Sequence, residues 1–125
     1  MLTGTVVLQP TPATVALAVE RIVRAVRPSR IIAFGSRARG EHQRESDLDL
    51  MVVLPREAAG LGVSADLYEA VGALGFSKDI VISNEEGLTR LSRSVNSVQA
   101  EAAREGITLY ENGRTDRAAI EKICR

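Results

Sequence analysis

The sequence predicts an α+β domain in which helices pack on one mixed β-sheet. Three observations support this fold class. Segments with apolar residues at helical spacing alternate along the chain with short apolar runs of strand length. Pro and Gly residues separate these segments. The 125 residues are enough for a single core but too few for two ordinary ones. The predicted order is helix, strand, strand, helix, strand, helix, with a short strand at the end.

The elements of the N-terminal half have clear boundaries in the sequence. An extended lead-in over residues 1–10 precedes a helix that starts at Thr11-Pro12 and is closed by Pro28. The apolar run from Arg30 to Gly35 predicts a buried strand, and residues 47–54 predict a second strand that ends before Pro55. The segment between these two strands predicts a polar loop.

The C-terminal half continues with helices and two strands. A loop over residues 56–63 and a helix over 64–74, stopped by Gly75, lead to a third strand over 78–82. Asn84 caps a further helical stretch with a break near Ser94 that runs to Gly106, and residues 107–110 predict the last strand. The domain is therefore expected to span 1–113, followed by a charged tail over 114–125.

Two aspartates at the start of the second strand are the first candidate site residues. Strand alternation sends Asp47 and Asp49 to one face and Leu48 and Leu50 to the other. If the third strand lies beside the second, Asp79 joins the same cluster. Like charges on a half-buried surface are costly unless a cation neutralises them, and carboxylate oxygens suit magnesium. The plainer interpretation is that these aspartates are strand-end, capping or solvated residues.

The residues after the first strand predict an anion cradle. Gly35 and Ser36 can present backbone N–H groups and a hydroxyl, and Arg37 and Arg39 can present guanidinium groups, to phosphate oxygens. For the two arginines, a role as solvated loop residues is an equal alternative. His42 lies in the same loop and is interpreted as a surface residue.

This motif resembles that of a known enzyme superfamily. Gly35-Ser36, a gap of ten residues and Asp47-x-Asp49 resemble the signature of the DNA polymerase β-type nucleotidyltransferases, in particular their minimal nucleotidyltransferase (MNT) branch. The ending from Glu105 to Glu111 is also similar to that of MNT domains. The resemblance implies a polymerase β palm-like fold. It also implies two Mg²⁺ ions held by the three aspartates and ATP as the substrate, with Asp79 completing the ligand set or accepting the proton of the incoming hydroxyl.

The resemblance also implies a biological role. A small MNT domain resembles the antitoxin of HEPN/MNT toxin-antitoxin pairs, which transfers AMP from ATP to a tyrosine of the HEPN-type toxin RNase. Two alternatives stay open: a catalytically idle antitoxin that neutralises its partner by binding, and a small-molecule adenylyltransferase of the aminoglycoside-resistance kind. The second alternative normally needs an acceptor-binding domain.

The amino-acid composition disfavours several classes of function. Lys plus Arg equals Asp plus Glu at 16 each, so no extended nucleic-acid surface is expected. Aromatic residues make up 3% of the chain, too few for a single-strand stacking platform; Tyr68 and Tyr110 are interpreted as packing residues. One cysteine, Cys124, indicates a cytoplasmic protein without disulfides, and no segment of membrane-spanning length is expected. The oligomeric state is left open.

Overall fold

The part of the chain that the structure describes forms a five-stranded mixed sheet with six helices. The computed structural model describes residues 8–55 and 63–125, with side chains in the second range described from residue 65 onward. The helices are α1 Pro12–Val26, α2 Ser36–Arg39, α3 Val63–Val71, α4 Glu85–Leu91, α5 Val98–Glu105 and α6 Arg117–Ile123. The strands are β1 Arg30–Phe34, β2 Leu48–Leu54, β3 Lys78–Asn84, β4 Ile107–Glu111 and β5 Arg114–Thr115. The predicted fold class is confirmed.

The strands lie in the order β3-β2-β1-β4-β5. Strand β1 pairs antiparallel with both β2 and β4, whereas β2 and β3 run parallel. Parallel neighbours need a crossover connection, and α3 provides it. The register sets Phe34 opposite Asp49 and Asp49 opposite Asp79. The third strand therefore lies beside the second, which is the condition under which Asp79 is expected to join Asp47 and Asp49.

The two faces of the sheet carry different helices. On one face, α1, α3 and α6 cover the main core, which includes the alternate β2 residues Leu48, Leu50, Val52 and Leu54. On the other face, α4 and α5 pack through Leu88 and Ala102 on a smaller cluster. Its sheet residues are Ile32, Phe34, Met51 and Val53, with Val81 beside them. By strand alternation, Asp49 and Asp79 belong to the face of this smaller cluster.

Most predicted boundaries in the described ranges are close to those observed. Helix α1 begins after Thr11, whose hydroxyl accepts a hydrogen bond from the Thr14 N–H. Two differences stand out. The predicted loop between the first two strands contains the one-turn helix α2. Helix α3 ends at Val71 and not at residue 74, because Gly72, and not Gly75, follows its last turn. Most of the predicted lead-in over residues 1–10 lies outside the described residues. The same is true of nearly all of the predicted loop over residues 56–63.

The C-terminal segment is part of the folded domain, which corrects the expected charged tail. Asn112 and Gly113, both with positive φ (47° and 87°), form the turn between β4 and β5. Asp116 then caps α6 by accepting a hydrogen bond from the Ala119 N–H. Ile120 and Ile123, three residues apart on one face of α6, are each 1% exposed in the main core. Burial of this apolar pair holds the segment on the domain.

No helix within the described ranges is long and apolar enough to cross a membrane.

Candidate active site

The bend after β1 lies directly against an aspartate of β2. Gly35 is buried, with φ +76° and ψ −158°, a conformation essentially restricted to glycine. A Cβ atom added at Gly35 would collide with the Oδ2 atom of Asp49 and would lie 3.1 Å from its Cγ. Glycine is therefore required twice at this position, for the backbone conformation and for the close approach of the carboxylate. The structure brings the predicted phosphate-binding bend and the predicted metal ligand together.

The three predicted aspartates lie in one region of the molecule. Asp49 and Asp79 are opposite each other on parallel neighbouring strands, which are about 4.8 Å apart. Asp47 precedes β2 and is exposed, as is Asp79, while Asp49 is half-buried. Within the described part of the chain, the Asp49 carboxylate has no hydrogen-bond donor or salt-bridge partner.

Electrostatics at the central aspartate favour a cation. Burial raises the pKa of Asp49 above its ordinary value, and the negative charges of Asp79 and Asp47 raise it further. The guanidinium of Arg39 acts in the opposite direction, as the smallest of these effects on the pKa of Asp49. A half-buried carboxylate whose nearest charged neighbours are mainly other carboxylates is stabilised by a bound cation.

The donor set is compatible with Mg²⁺ that is shared with a nucleotide. Among the described residues, no group of three or more His, Cys, Asp or Glu side chains has the arrangement of a complete metal site. Mg²⁺ usually uses one or two protein carboxylates together with water and substrate phosphates, so an all-protein cage is not required. The open carboxylate of Asp49 beside the Gly35 bend meets this condition.

Hydroxyl groups contact the two outer carboxylates. The Ser77 hydroxyl donates to Asp47 Oδ1. The Tyr68 hydroxyl lies 3.4 Å from Asp79 Oδ1 and accepts a hydrogen bond of 2.8 Å from the Ile80 N–H. The sequence interpretation of Tyr68 as a packing residue missed these contacts. No local pattern reveals them, because they join a helix to a strand eleven or twelve residues further along the chain.

Arg37 is turned into the protein. It is 2% exposed, and its guanidinium donates to the backbone carbonyls of Gln43, Arg44 and Ser46 at 3.0–3.4 Å. These bonds hold the loop that connects α2 to Asp47. This arrangement does not favour the predicted contact of Arg37 with phosphate, because the side chain is buried and its Nε and one terminal nitrogen donate to the loop.

Arg39 is exposed but paired with carboxylates. Its guanidinium forms salt bridges of 3.1–3.2 Å with Glu41, Glu101 and Glu105. The last two glutamates belong to α5, so Arg39 links the site loop to that helix. A phosphate would have to compete with these carboxylates for the arginine.

The remaining polar candidates contribute no nucleophile. His42 is half-buried, and its Nδ1 atom has no hydrogen-bond partner among the described residues. Burial raises the pKa of the Cys124 thiol, which disfavours the reactive thiolate. The arrangement instead suits direct transfer of a phosphoryl-type group from one oxygen atom to another, without a covalent intermediate on the protein. A cation bound by the carboxylates would stabilise both oxygen atoms.

Comparison with known proteins identifies relatives of this fold. A family model described as the nucleotidyltransferase domain matches residues 16–109. A Sulfolobus solfataricus protein, provisionally described as a nucleotidyltransferase, has a similar structure with a TM-score of 0.58 and 16% identity, covering 81% of this chain and 80% of the other. A toxin-antitoxin structure with AMP-PNP has a TM-score of 0.52 and 21% identity, covering 83% and 78%. A search of curated proteins gave no significant match.

Proposed function

Because the chain belongs to the nucleotidyltransferase domain family, we propose that it transfers AMP from ATP to a hydroxyl group of a protein partner. The proposed partner is a HEPN-type toxin RNase, the acceptor is one of its tyrosines, and the protein acts as the antitoxin. This reaction would take place in the cytoplasm, where ATP and Mg²⁺ are abundant.

One observation carries the proposal. Asp49 and Asp79 lie opposite each other on parallel strands, and the Gly35 bend approaches the Asp49 carboxylate so closely that no side chain fits between them. A phosphate chain held by this bend would therefore lie beside the carboxylates. Juxtaposition of an anion-binding bend and carboxylates is what metal-assisted phosphoryl transfer requires.

The residues have distinct proposed roles. Gly35 and Ser36, through backbone N–H groups and the Ser36 hydroxyl, bind the triphosphate. Asp47 and Asp49, with Asp79, would hold the Mg²⁺ ions, and these ions would supply neutralisation of phosphate charge. The acceptor hydroxyl oxygen forms a bond to the α-phosphorus, the bond from that phosphorus to the bridging oxygen breaks, and pyrophosphate leaves. Asp79 accepts the proton of the hydroxyl.

The two arginines have modified roles in this proposal. Arg37 shapes the loop that leads to Asp47, through its bonds to backbone carbonyls. Arg39 neutralises the leaving pyrophosphate only after exchanging its α5 glutamates for phosphate oxygens. Its exposed position makes that exchange sterically accessible.

The toxin partner is proposed from the structural likeness. The toxin-antitoxin structure with AMP-PNP shares the fold of this chain at 21% identity. That structure is described as a toxin-antitoxin with AMP-PNP, and this description supports the proposal of a toxin-antitoxin role and a nucleotide substrate for the present chain. The HEPN identity of the partner follows from the resemblance of the Gly35-Ser36 and Asp47-x-Asp49 motif to MNT antitoxins.

Intact-mass analysis tests the proposal. The purified protein is incubated with ATP, Mg²⁺ and a purified HEPN-type protein, which is first sought in the reading frames beside its gene. We expect the partner to gain the mass of one or more AMP groups, and Asp49→Asn to abolish the gain. Asp116→Asn is the matched control, because asparagine caps α6 as well as aspartate does. A partner without added mass, in a reaction with folded wild-type protein, would contradict the proposal.

A catalytically idle antitoxin is the second candidate. It is favoured by the engagement of both arginines, Arg37 with carbonyls and Arg39 with glutamates. In that case Asp49→Asn would neutralise the toxin as well as the wild type does, without any AMP transfer. Toxin neutralisation by this variant therefore separates the two candidates.

A further inference from the structure

Tyr68 connects α3 to the edge of the sheet at the candidate site. Among the strands of the described residues, β3 is the outermost on its side, so none of them lies beyond it to accept its outward N–H groups. The Tyr68 hydroxyl accepts the hydrogen bond of the Ile80 N–H at 2.8 Å. The same hydroxyl lies 3.4 Å from Asp79 Oδ1. The Tyr68 hydroxyl thus provides an acceptor for one N–H group at the strand edge and also contacts the carboxylate of Asp79.

The geometry assigns a direction to the hydroxyl proton. A phenol has one O–H to donate. Because the Ile80 N–H is itself a donor, it engages a lone pair of the Tyr68 oxygen and leaves the proton free for Asp79. At 3.4 Å the two oxygen atoms are farther apart than in an ordinary O–H···O hydrogen bond, so this contact is weak and does not compete strongly with a cation for the carboxylate.

We infer that Tyr68 is a positioning residue that holds the Asp79 carboxylate in place for Mg²⁺ and the acceptor hydroxyl. This inference rests on the proposed function of Asp79. Ser77 contacts Asp47 in a similar way, so each outer carboxylate has a hydroxyl neighbour. Hydrogen bonds of this kind orient carboxylate ligands and tune their affinity for metals.

The composition of the chain provides a spectroscopic readout. The protein contains two tyrosines and no tryptophan, so its near-ultraviolet emission comes from Tyr68 and Tyr110. Tyr110 is 8% exposed in the main core, whereas Tyr68 is 40% exposed at the site. A phenol that donates to a carboxylate emits less than a free one. Tyr68 emission therefore reports on the state of Asp79.

The first experiment measures Tyr68 emission. In the Tyr110→Phe protein, Tyr68 is the sole tyrosine, so all tyrosine emission comes from it. If Tyr110→Phe does not fold, the emission of Tyr68 is obtained as the difference between the spectra of the wild type and Tyr68→Phe. We expect emission to rise when Asp79 is changed to Asn, and also when Mg²⁺ and a non-hydrolysable ATP analogue are added to the protein with Asp79 intact. Emission that responds to neither change would overturn the inference.

The second experiment measures transfer kinetics with two matched Tyr→Phe variants. We expect Tyr68→Phe to lower kcat by about 10-fold and to raise the Mg²⁺ concentration for half-maximal rate, with the KM for ATP changed less than about 2-fold. Tyr110→Phe should retain wild-type kinetics. Equal kinetics of both variants would overturn the inference and leave the proposed function standing. If the wild type transferred no AMP, the proposed function would be refuted. The emission measurement would then test the contact between Tyr68 and Asp79 without relying on AMP transfer.

Discussion

Replacing Gly35 with alanine perturbs the bend and Asp49 together. The backbone at φ +76° and ψ −158° is unfavourable for alanine by about 1–3 kcal/mol. In addition, the new methyl group would overlap Asp49 Oδ2 and lie 3.4 Å from the Asp49 Cβ, so the carboxylate must move. We expect Gly35→Ala to lower the free energy of unfolding by roughly 2–4 kcal/mol in total.

Gly113→Ala is the control that separates strain from displacement. Gly113 also has a positive φ, of 87°, but an added Cβ there would have no neighbouring atom within 4 Å. Gly113→Ala should therefore lower the free energy of unfolding only by the cost of the backbone conformation, about 1–2 kcal/mol. It should also bind nucleotide normally, because the turn between β4 and β5 is not part of the candidate site.

The assay combines urea denaturation with calorimetric binding of a non-hydrolysable ATP analogue in Mg²⁺. We expect Gly35→Ala to weaken binding by more than about 10-fold and Gly113→Ala to change it by less than about 2-fold. If Gly35→Ala matched Gly113→Ala in both stability and binding, the close approach of Gly35 to Asp49 would have no functional meaning, and the reasoning would be refuted.

Three further substitutions test the supports of the site and fold by urea denaturation. Arg37→Lys should lower the free energy of unfolding by roughly 1–3 kcal/mol, because the single ammonium nitrogen of a lysine does not reproduce the planar fork with which Nε and a terminal nitrogen of Arg37 reach the three loop carbonyls. Ile120→Ala should cost roughly 2–4 kcal/mol, since α6 is anchored in the core. Glu85→Gln should cost about 1 kcal/mol at about pH 7, because Glu85 accepts a 3.0 Å hydrogen bond from Arg30 Nε in a partly exposed pair.

The Glu85 prediction has a defined pH dependence. Hydrogen bonding from Arg30 lowers the pKa of Glu85, an effect that burial opposes and the Ser29 hydroxyl reinforces. Because the folded pKa lies below the unfolded value of about 4.3, the stabilisation is fully present above that pH and is lost as the pH falls through the folded pKa. The difference between wild type and Glu85→Gln should therefore vanish in acid. A difference that grew in acid would contradict this account.

Each of these substitutions has a matched control on the surface. Arg90→Lys, Val95→Ala and Glu69→Gln change exposed residues and should each alter stability by less than about 0.5 kcal/mol. If Arg37→Lys or Ile120→Ala behaved like its control, the loop anchor or the docking of α6 would be absent in solution.

The sequence was sufficient where the signal is local. Period-two alternation predicted that Asp49 and Leu50 face opposite sides of β2, and the main core contains Leu50 but not Asp49. Thr11 and Asn84 are helix caps as their residue types predict. Placing Asp79 opposite Asp49 needed one further assumption, that the second and third strands are neighbours, and the structure confirms it.

The partners of the loop arginines could not be predicted from the sequence. Arg39 pairs with Glu101 and Glu105, which are more than sixty residues away. Arg37 bonds to backbone carbonyls, which every residue carries and which therefore leave no pattern in the sequence. Both contacts depend on how the loop and α5 pack, so a free guanidinium was an equally reasonable expectation.

The sequence also contains a signal for the final hairpin and helix. Asn112-Gly113 between two short extended segments is the preferred sequence of a tight β-hairpin turn. Recognising it would have extended the sheet by β5 and placed Asp116 at the cap of α6. The charge of the segment obscures this signal, because its buried core residues are just Ile120 and Ile123, with Ala119 and Cys124 packed beside them and partly buried.

Calorimetric binding of the ATP analogue with and without Mg²⁺, compared between wild type and Asp49→Asn, shows whether Asp49 takes part in a metal-dependent nucleotide site. We expect the wild type to bind the analogue only when Mg²⁺ is present, and Asp49→Asn to weaken this binding by at least about 10-fold. Equal binding without Mg²⁺, or wild-type affinity in Asp49→Asn, would contradict the claim that these carboxylates and the Gly35 bend form a metal-nucleotide site.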